Sequence, residues 1–375
     1  MTRRYELDLV RICVFLLLIL YHASLMYGSR AFFIKADDSN SYFDVIYILS
    51  HPWRMSLLFF ISGVATAFAL ERLSPSELRA KRSKQLLLPL ILGMCFLIPP
   101  QLYVYFNGTA GMSINMLEVF AHYLTLNPVT LPNGEQEVGF RMEHLWYLAY
   151  LWVYTAILVM VAAIAKPQLK ALGTWLALQL QGYGLLFWPA TLFILLRITL
   201  RPVFPPTINL VDDWYSHTLY LSCFVGGVVL GRHEEFWQQL ARMRRLALIV
   251  ALLCVPALLY RLSISPLYDQ DAWNSLASNL IVGPFRWCMI VAILGYAQKL
   301  KSWRPPVLQY LNRAILTYYV LHQTLMLLIA YELDRMGLFN VASFLPIVLL
   351  TLGASALLYE GWRRLRMVFA HPQLA

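Results

Sequence analysis

The sequence predicts an all-α integral membrane protein, a polytopic helical bundle of about ten transmembrane helices with both termini in the cytoplasm. Three observations predict it. The 375-residue chain is 59% hydrophobic and only 13% charged, well below the roughly 25% charged residues of soluble domains. Apolar runs of membrane-spanning length recur from end to end, with 11 Trp and 22 Tyr of the kind that gather at bilayer interfaces. The basic residues are unevenly shared between alternate connections, as the positive-inside rule requires.

The spans fall at about residues 11–29, 53–70, 85–106, 144–165, 181–200, 214–231, 245–262, 276–298, 310–331 and 341–360. The first follows Arg3 and Arg4 as a signal peptide would. Arg11 and His22 interrupt it and no small-residue cleavage site follows, so it is expected to be retained. The sixth is short and rich in glycine (Gly226, Gly227, Gly231), which suits close helix packing. The stretch from Lys170 to Leu200 is too long for one span, and its first half reads as an amphipathic helix on the membrane surface. No soluble stretch is long enough for an independent domain, so residues 1–375 are expected to form a single transmembrane domain. No internal repeat of the transporter kind is visible.

One set of connections, from Arg3, Arg4 and Arg11 through to Arg363, Arg364 and Arg366, holds 21 of the 30 basic residues. That set is assigned to the cytoplasm. The opposite connections are longer and carry Asp37, Asp38, Asp212, Asp213, Asp269 and Asp271. The net charge of +10 therefore reads as loops facing anionic membrane lipid, not as a nucleic-acid footprint. The five cysteines are scattered singly through apolar runs, with neither metal-ligand spacing nor a disulfide framework. The oligomeric state is left open.

Five stretches carry residues that could do chemistry. In the first span, Arg11 and His22 are close to three turns apart, so they share a helix face and are separated by about 16 Å of rise. Asp8 lies one turn before Arg11 and can pair with it. Arg11 reads equally as a topological anchor; an imidazole in an apolar run more often faces an interior cavity. In the loop SPSELRAKRSK, Arg79 and Arg82 are one helical turn apart. They read either as lipid-facing charges or as two planar guanidiniums gripping the phosphates of a nucleotide-like ligand. Ser74 and Glu77 have capping-box spacing, which would start that helix.

The second span carries Arg54 at its outer edge, with Ser62 and Gly63 inside, where small residues normally mean helix contact. The fourth opens on Glu143 and His144 beside an aromatic belt. The ninth repeats the pattern of the first, with Arg313 near the cytoplasmic edge and His322 deeper. Arg54, Ser62, Glu143, His144 and His322 are candidate substrate-path residues. No Gly-rich phosphate loop, metal cluster or G-x-S-x-G elbow is present in the sequence.

Taken in order, these residues resemble the acyltransferase-3 family of integral membrane O-acyltransferases. The matching segments are LDLVR followed by His22, FFISG (Phe59 to Gly63), Arg79-Ala-Lys-Arg82, HLWYL (His144 to Leu148) and TYYVLH (Thr317 to His322). The wording WRMSLLFFISG and HLWYL is similar to the glucans biosynthesis protein C-like branch. Many members place a glutamate shortly after the HLWYL-like motif; here Tyr150, Leu151 and Trp152 stand instead.

The resemblance implies acyl-CoA as the donor substrate, bound from the cytoplasm, and a periplasmic or cell-surface glycan hydroxyl as acceptor. Succinyl and acetyl are the candidate acyl groups, and no permanently bound cofactor or metal is expected. His22 would act as general base or receive the acyl group first. Arg11, Arg79 and Arg82 would hold the phosphates, with Asp8 orienting Arg11. Two other classes remain open: a transporter or flippase in which His22 and His322 line the path, and an assembly subunit with no chemistry of its own. The first would show ion-driven flux, and neither would bind acyl-CoA through Arg79 and Arg82.

Overall fold

The computed structural model describes residues 4–137, 141–264 and 275–370. Arg3, Asp269 and Asp271 lie outside the described residues. Among the described residues there are eleven α-helices, in this order: α1 Tyr5–Tyr27, α2 Asp44–Ala69, α3 Pro75–Val104, α4 Met116–Thr125, α5 Trp146–Gln179, α6 Gly184–Thr199, α7 Trp214–Leu230, α8 Glu234–Ile264, α9 Leu276–Ala297, α10 Pro306–Arg335 and α11 Phe344–Ala370. A two-residue ribbon, β1 (Val129–Thr130) antiparallel to β2 (Gln136–Glu137), pairs Val129 with Glu137.

Among the described residues, eight helical segments are long and apolar enough to cross a membrane: those containing α1, α2, α3, α5, α8, α9, α10 and α11. The other two expected spans, 181–200 and 214–231, coincide with the shorter α6 and α7. Within α5 the backbone leaves helical geometry at Ala165 (φ −131°, ψ 32°), two residues before Pro167. Proline removes an amide donor and crowds the preceding turn, which accounts for the break. The second leg, residues 166–179, overlaps the first half of the 170–200 stretch, the part expected to form an amphipathic helix. It carries exposed Trp175 and Leu178 against buried Gly173 and Ala177.

The backbone groups into two compact units, each assembled from three separated stretches. The first comprises residues 1–14, 47–90 and 146–304. Its helices meet through glycine. A Cβ on Gly63 would lie 2.0 Å from the Phe224 carbonyl oxygen, and one on Gly227 would lie 2.0 Å from that of Phe60. α2 and α7 therefore cross backbone to backbone, the packing that small residues permit. The entry of α3 is fixed by the capping box: the Ser74 amide donates to Glu77 Oε2 (2.8 Å) and the Glu77 amide to Ser74 Oγ (3.3 Å). Pro75 occupies the first helical position, where no amide is needed.

The second unit comprises residues 15–46, 91–145 and 305–375. Its core clusters Ile19, Ala23, Met26, Tyr27 and Ile34 with Met326, Leu327, Ala330 and Ile347. The connection after α1 folds back onto the helix end. The Lys35 ammonium donates to the carbonyls of Leu25 (3.0 Å) and Gly28, satisfying acceptors that a helix terminus leaves open. Burial pulls the Lys35 ammonium below its usual range, with Asp44 pulling the other way. This connection presses Phe32 against the His22 ring, centroids 6.3 Å apart.

Candidate active site

Each unit holds a polar cluster that includes residues singled out from the sequence. In the first, Asp8 Oδ1 accepts from Arg11 Nη2 at 3.1 Å, the one-turn pair expected from spacing. Arg82, seven residues into α3, turns inward. Its Nη2 donates to Thr66 Oγ1 (3.2 Å), and that hydroxyl donates on to the Ser62 carbonyl (2.7 Å). Ser62 Oγ meets the Tyr147 hydroxyl at 2.7 Å. Arg11 and Tyr147 are both electrostatic neighbours of Arg82. Two guanidiniums thus raise a positive field over a hydroxyl ladder, an arrangement suited to an anion.

Arg79 does not join them. It is exposed, whereas Arg82 is partly buried, although both lie on one helix three residues apart. Arg54, only 2% exposed, is a separate feature; its Nη1 donates to Ser50 Oγ at 3.3 Å. Two further buried arginines occur in this unit. Arg286 donates to the Pro52 carbonyl (2.5 Å) and to the Tyr215 hydroxyl (3.4 Å), and Arg197 to Asn279 Oδ1 (2.9 Å). Neither was singled out from the sequence. The rule that flagged His22, an ionisable group inside an apolar run, applies equally to Arg286 in LIVGPFRWCMIV.

In the second unit, three histidines from distant parts of the chain converge. His22 Nδ1 lies 2.8 Å from His322 Nε2. His322 Nδ1 lies 2.7 Å from the carbonyl oxygen of Tyr319. His144 stands edge-on to His322 (ring centroids 5.2 Å, 87°), and its Nε2 is 3.0 Å from the Val320 carbonyl. The three differ in exposure. His322 is 0% and His144 6% exposed, while His22 is partly exposed and is the accessible ring of the group.

Behind them runs a buried amide chain. Gln323 Nε2 donates to Gln101 Oε1 (2.8 Å), and Gln101 Nε2 donates to Thr324 Oγ1 (2.8 Å). Buried polar groups cost free energy unless satisfied, so such a chain specifies one arrangement of the helices that carry it. Gln101, Gln323 and Thr324 were not identified from sequence; uncharged polar residues in apolar runs are the signal that could have found them. Glu143 faces Arg141 at 3.8 Å, not the histidines. It has φ +43°, a left-handed conformation that non-glycine residues seldom adopt.

Residues 4–360 match the family model described as an acyltransferase domain. Curated relatives include glucans biosynthesis protein C of Escherichia coli K12, 23% identical over 366 residues, covering 96% of this chain and 91% of the relative. The protein of the same name from E. coli O139:H28 is also 23% identical, over 368 residues, at the same coverage. That from E. coli O6:K15:H31 is 22% identical over 366 residues, again covering 96% and 91%. No solved structure matches.

Proposed function

Because the chain belongs to the acyltransferase-3 family, we propose that it moves an acyl group from cytoplasmic acyl-CoA to a hydroxyl of an extracytoplasmic glycan. It is a multi-pass protein of the bacterial inner membrane. The observation that carries the reading is the His22–His322 contact of 2.8 Å, a partly exposed imidazole backed by a buried one. A ring so placed can take a proton from a hydroxyl, or attack the thioester itself.

Arg11 and Arg82 support the donor end. Guanidinium–phosphate bonds are charge-assisted and often bidentate, and the CoA moiety brings phosphates. Arg79, exposed on the first turns of α3, serves as an outer contact for them, and Asp8 orients Arg11. Arg11 and His22 both lie on α1, eleven residues apart in sequence. Ten crossings, with α6 and α7 completing the set and both termini cytoplasmic, fit the distribution of basic residues. The name of the relatives supports a glucan-type acceptor; succinyl or acetyl is the proposed group moved.

Mass spectrometry of envelope glycans from cells expressing wild type or His22→Ala tests this. Ester-linked acyl groups should appear with wild type and vanish with the variant. Purified protein should release free CoA thiol only when both acyl-CoA and glycan are present. Flux of glycan across liposomes with no ester formed would instead establish transport.

A further inference from the structure

Resting on that reading, we propose that His322 is a positioning residue that dictates which nitrogen of His22 carries the lone pair. The hydrogen bonds determine the tautomers one after another. A carbonyl oxygen only accepts, so His322 Nδ1, 2.7 Å from the Tyr319 oxygen, carries a proton. A neutral imidazole has one N–H, so His322 Nε2 is its acceptor nitrogen. It meets His22 Nδ1 at 2.8 Å, so His22 Nδ1 is the donor. The proton-accepting nitrogen of His22 is therefore Nε2.

The ring planes support a directed bond. They are inclined by only 2° with centroids 5.0 Å apart. At an N···N distance of 2.8 Å, that separation means two rings meeting edge to edge in one plane, the geometry in which an N–H points along an in-plane lone pair. The carbonyl at the start of this chain is itself held. The Tyr319 hydroxyl donates to the His144 carbonyl, and the Tyr319 ring packs on Phe15 at 5.2 Å. His144 Nε2, facing the Val320 carbonyl at 3.0 Å, is a donor. His144 thus braces the turn of α10 that orients His322.

The consequence for transfer follows. As the acceptor oxygen bonds to the thioester carbon, its proton passes to His22 Nε2. The C–S bond breaks, its electron pair stays on sulfur, and His22 returns the proton to the thiolate. In between, the His22 imidazolium keeps its Nδ1–H directed at His322 Nε2, and that lone pair spreads the charge over both rings. If His22 instead receives the acyl group first, it is the same Nε2 lone pair that attacks. Both routes fail in the opposite tautomer.

The test uses the full chain in lipid nanodiscs. Nitrogen-15 NMR of histidine-labelled wild type, assigned by comparison with His22→Gln, should show His22 protonated on Nδ1. His322→Leu should lower kcat about 10²- to 10⁴-fold, the usual scale of general-base help. KM for acyl-CoA and acyl-CoA binding should stay unchanged, which also reports that the variant is folded. His322→Gln, whose Oε1 can accept from His22 Nδ1–H, should recover at least about tenfold over leucine. A His22 proton on Nε2 in wild type, or equal activity of the leucine and glutamine variants, overturns the inference. Were wild type to transfer no acyl group at all, the acyltransferase reading would fall, while the NMR assignment would still decide the histidine pair.

Discussion

Replacing Gly227 with alanine should separate two helices and weaken the donor cluster, though it touches no polar group. The added Cβ would lie 2.0 Å from the Phe60 carbonyl oxygen, 2.9 Å from its carbon and 3.0 Å from the Val64 amide nitrogen. All three are backbone atoms, so no side chain can swing away. Restoring ordinary contact of 3.4 Å or more requires α2 and α7 to part by about 1.4 Å. Gaps of roughly 0.5–1 Å already forfeit a quarter to a half of each dispersion contact along a seam. Overpacking typically costs about 1–3 kcal/mol, and backbone-to-backbone contact puts this site at the upper end.

Gly226 is the internal control. A Cβ there would meet only the Phe60 ring, at 3.8 Å. Gly226→Ala should be neutral, or stabilising by up to about 1 kcal/mol through helix propensity. Because Ser62 and Thr66 flank the crossing on α2 and Thr66 accepts from Arg82, Gly227→Ala should also weaken acyl-CoA binding, and Gly226→Ala should not. Thermal unfolding in detergent and acyl-CoA titration read the two effects. Equal melting temperatures for the two variants would refute the close crossing.

Arg82→Ala should weaken acyl-CoA binding more than Arg79→Ala, since Arg82 lies in the field of Arg11 and Arg79 is exposed; binding titrations that rank them the other way count against the clamp. Arg82→Lys should restore binding only in part, because the planar fork is lost. His22→Gln should abolish acyl transfer in a purified assay while acyl-CoA still binds, as glutamine hydrogen-bonds without useful basicity; near-normal transfer would make His22 structural. Reporter fusions after Lys35, Arg82 and Ala375, the last outside the described residues, should report outside, inside and inside, and an outside C-terminus would end the ten-span topology.

The elements legible in the sequence were those whose physics is local. Span positions follow from the cost of unpaired backbone in hydrocarbon, which forces long continuous apolar helices. The Ser74–Glu77 cap and the Asp8–Arg11 pair span three residues each, within reach of helical geometry alone. Helix α4 and the β1–β2 ribbon went unread, because they lie in the long 107–143 connection and neither is a membrane-length run. The break at Ala165 falls where the fourth expected span, 144–165, ends, and Pro167 accounts for it.

What the sequence by itself determined is an all-α chain of apolar helices, with a histidine three turns from an arginine on the first of them. Only the tertiary structure decided which histidines meet. His22 and His322 are 300 residues apart, and their register depends on how α1 and α10 pack, which no local pattern encodes. It also divided Arg79 from Arg82. Spacing put both on one helix, but the Thr66 hydroxyl drew one inward and left the other in solvent. Helical periodicity says which residues share a face; what that face meets is decided by side-chain packing between distant segments, down to single contacts such as Gly227 against Phe60.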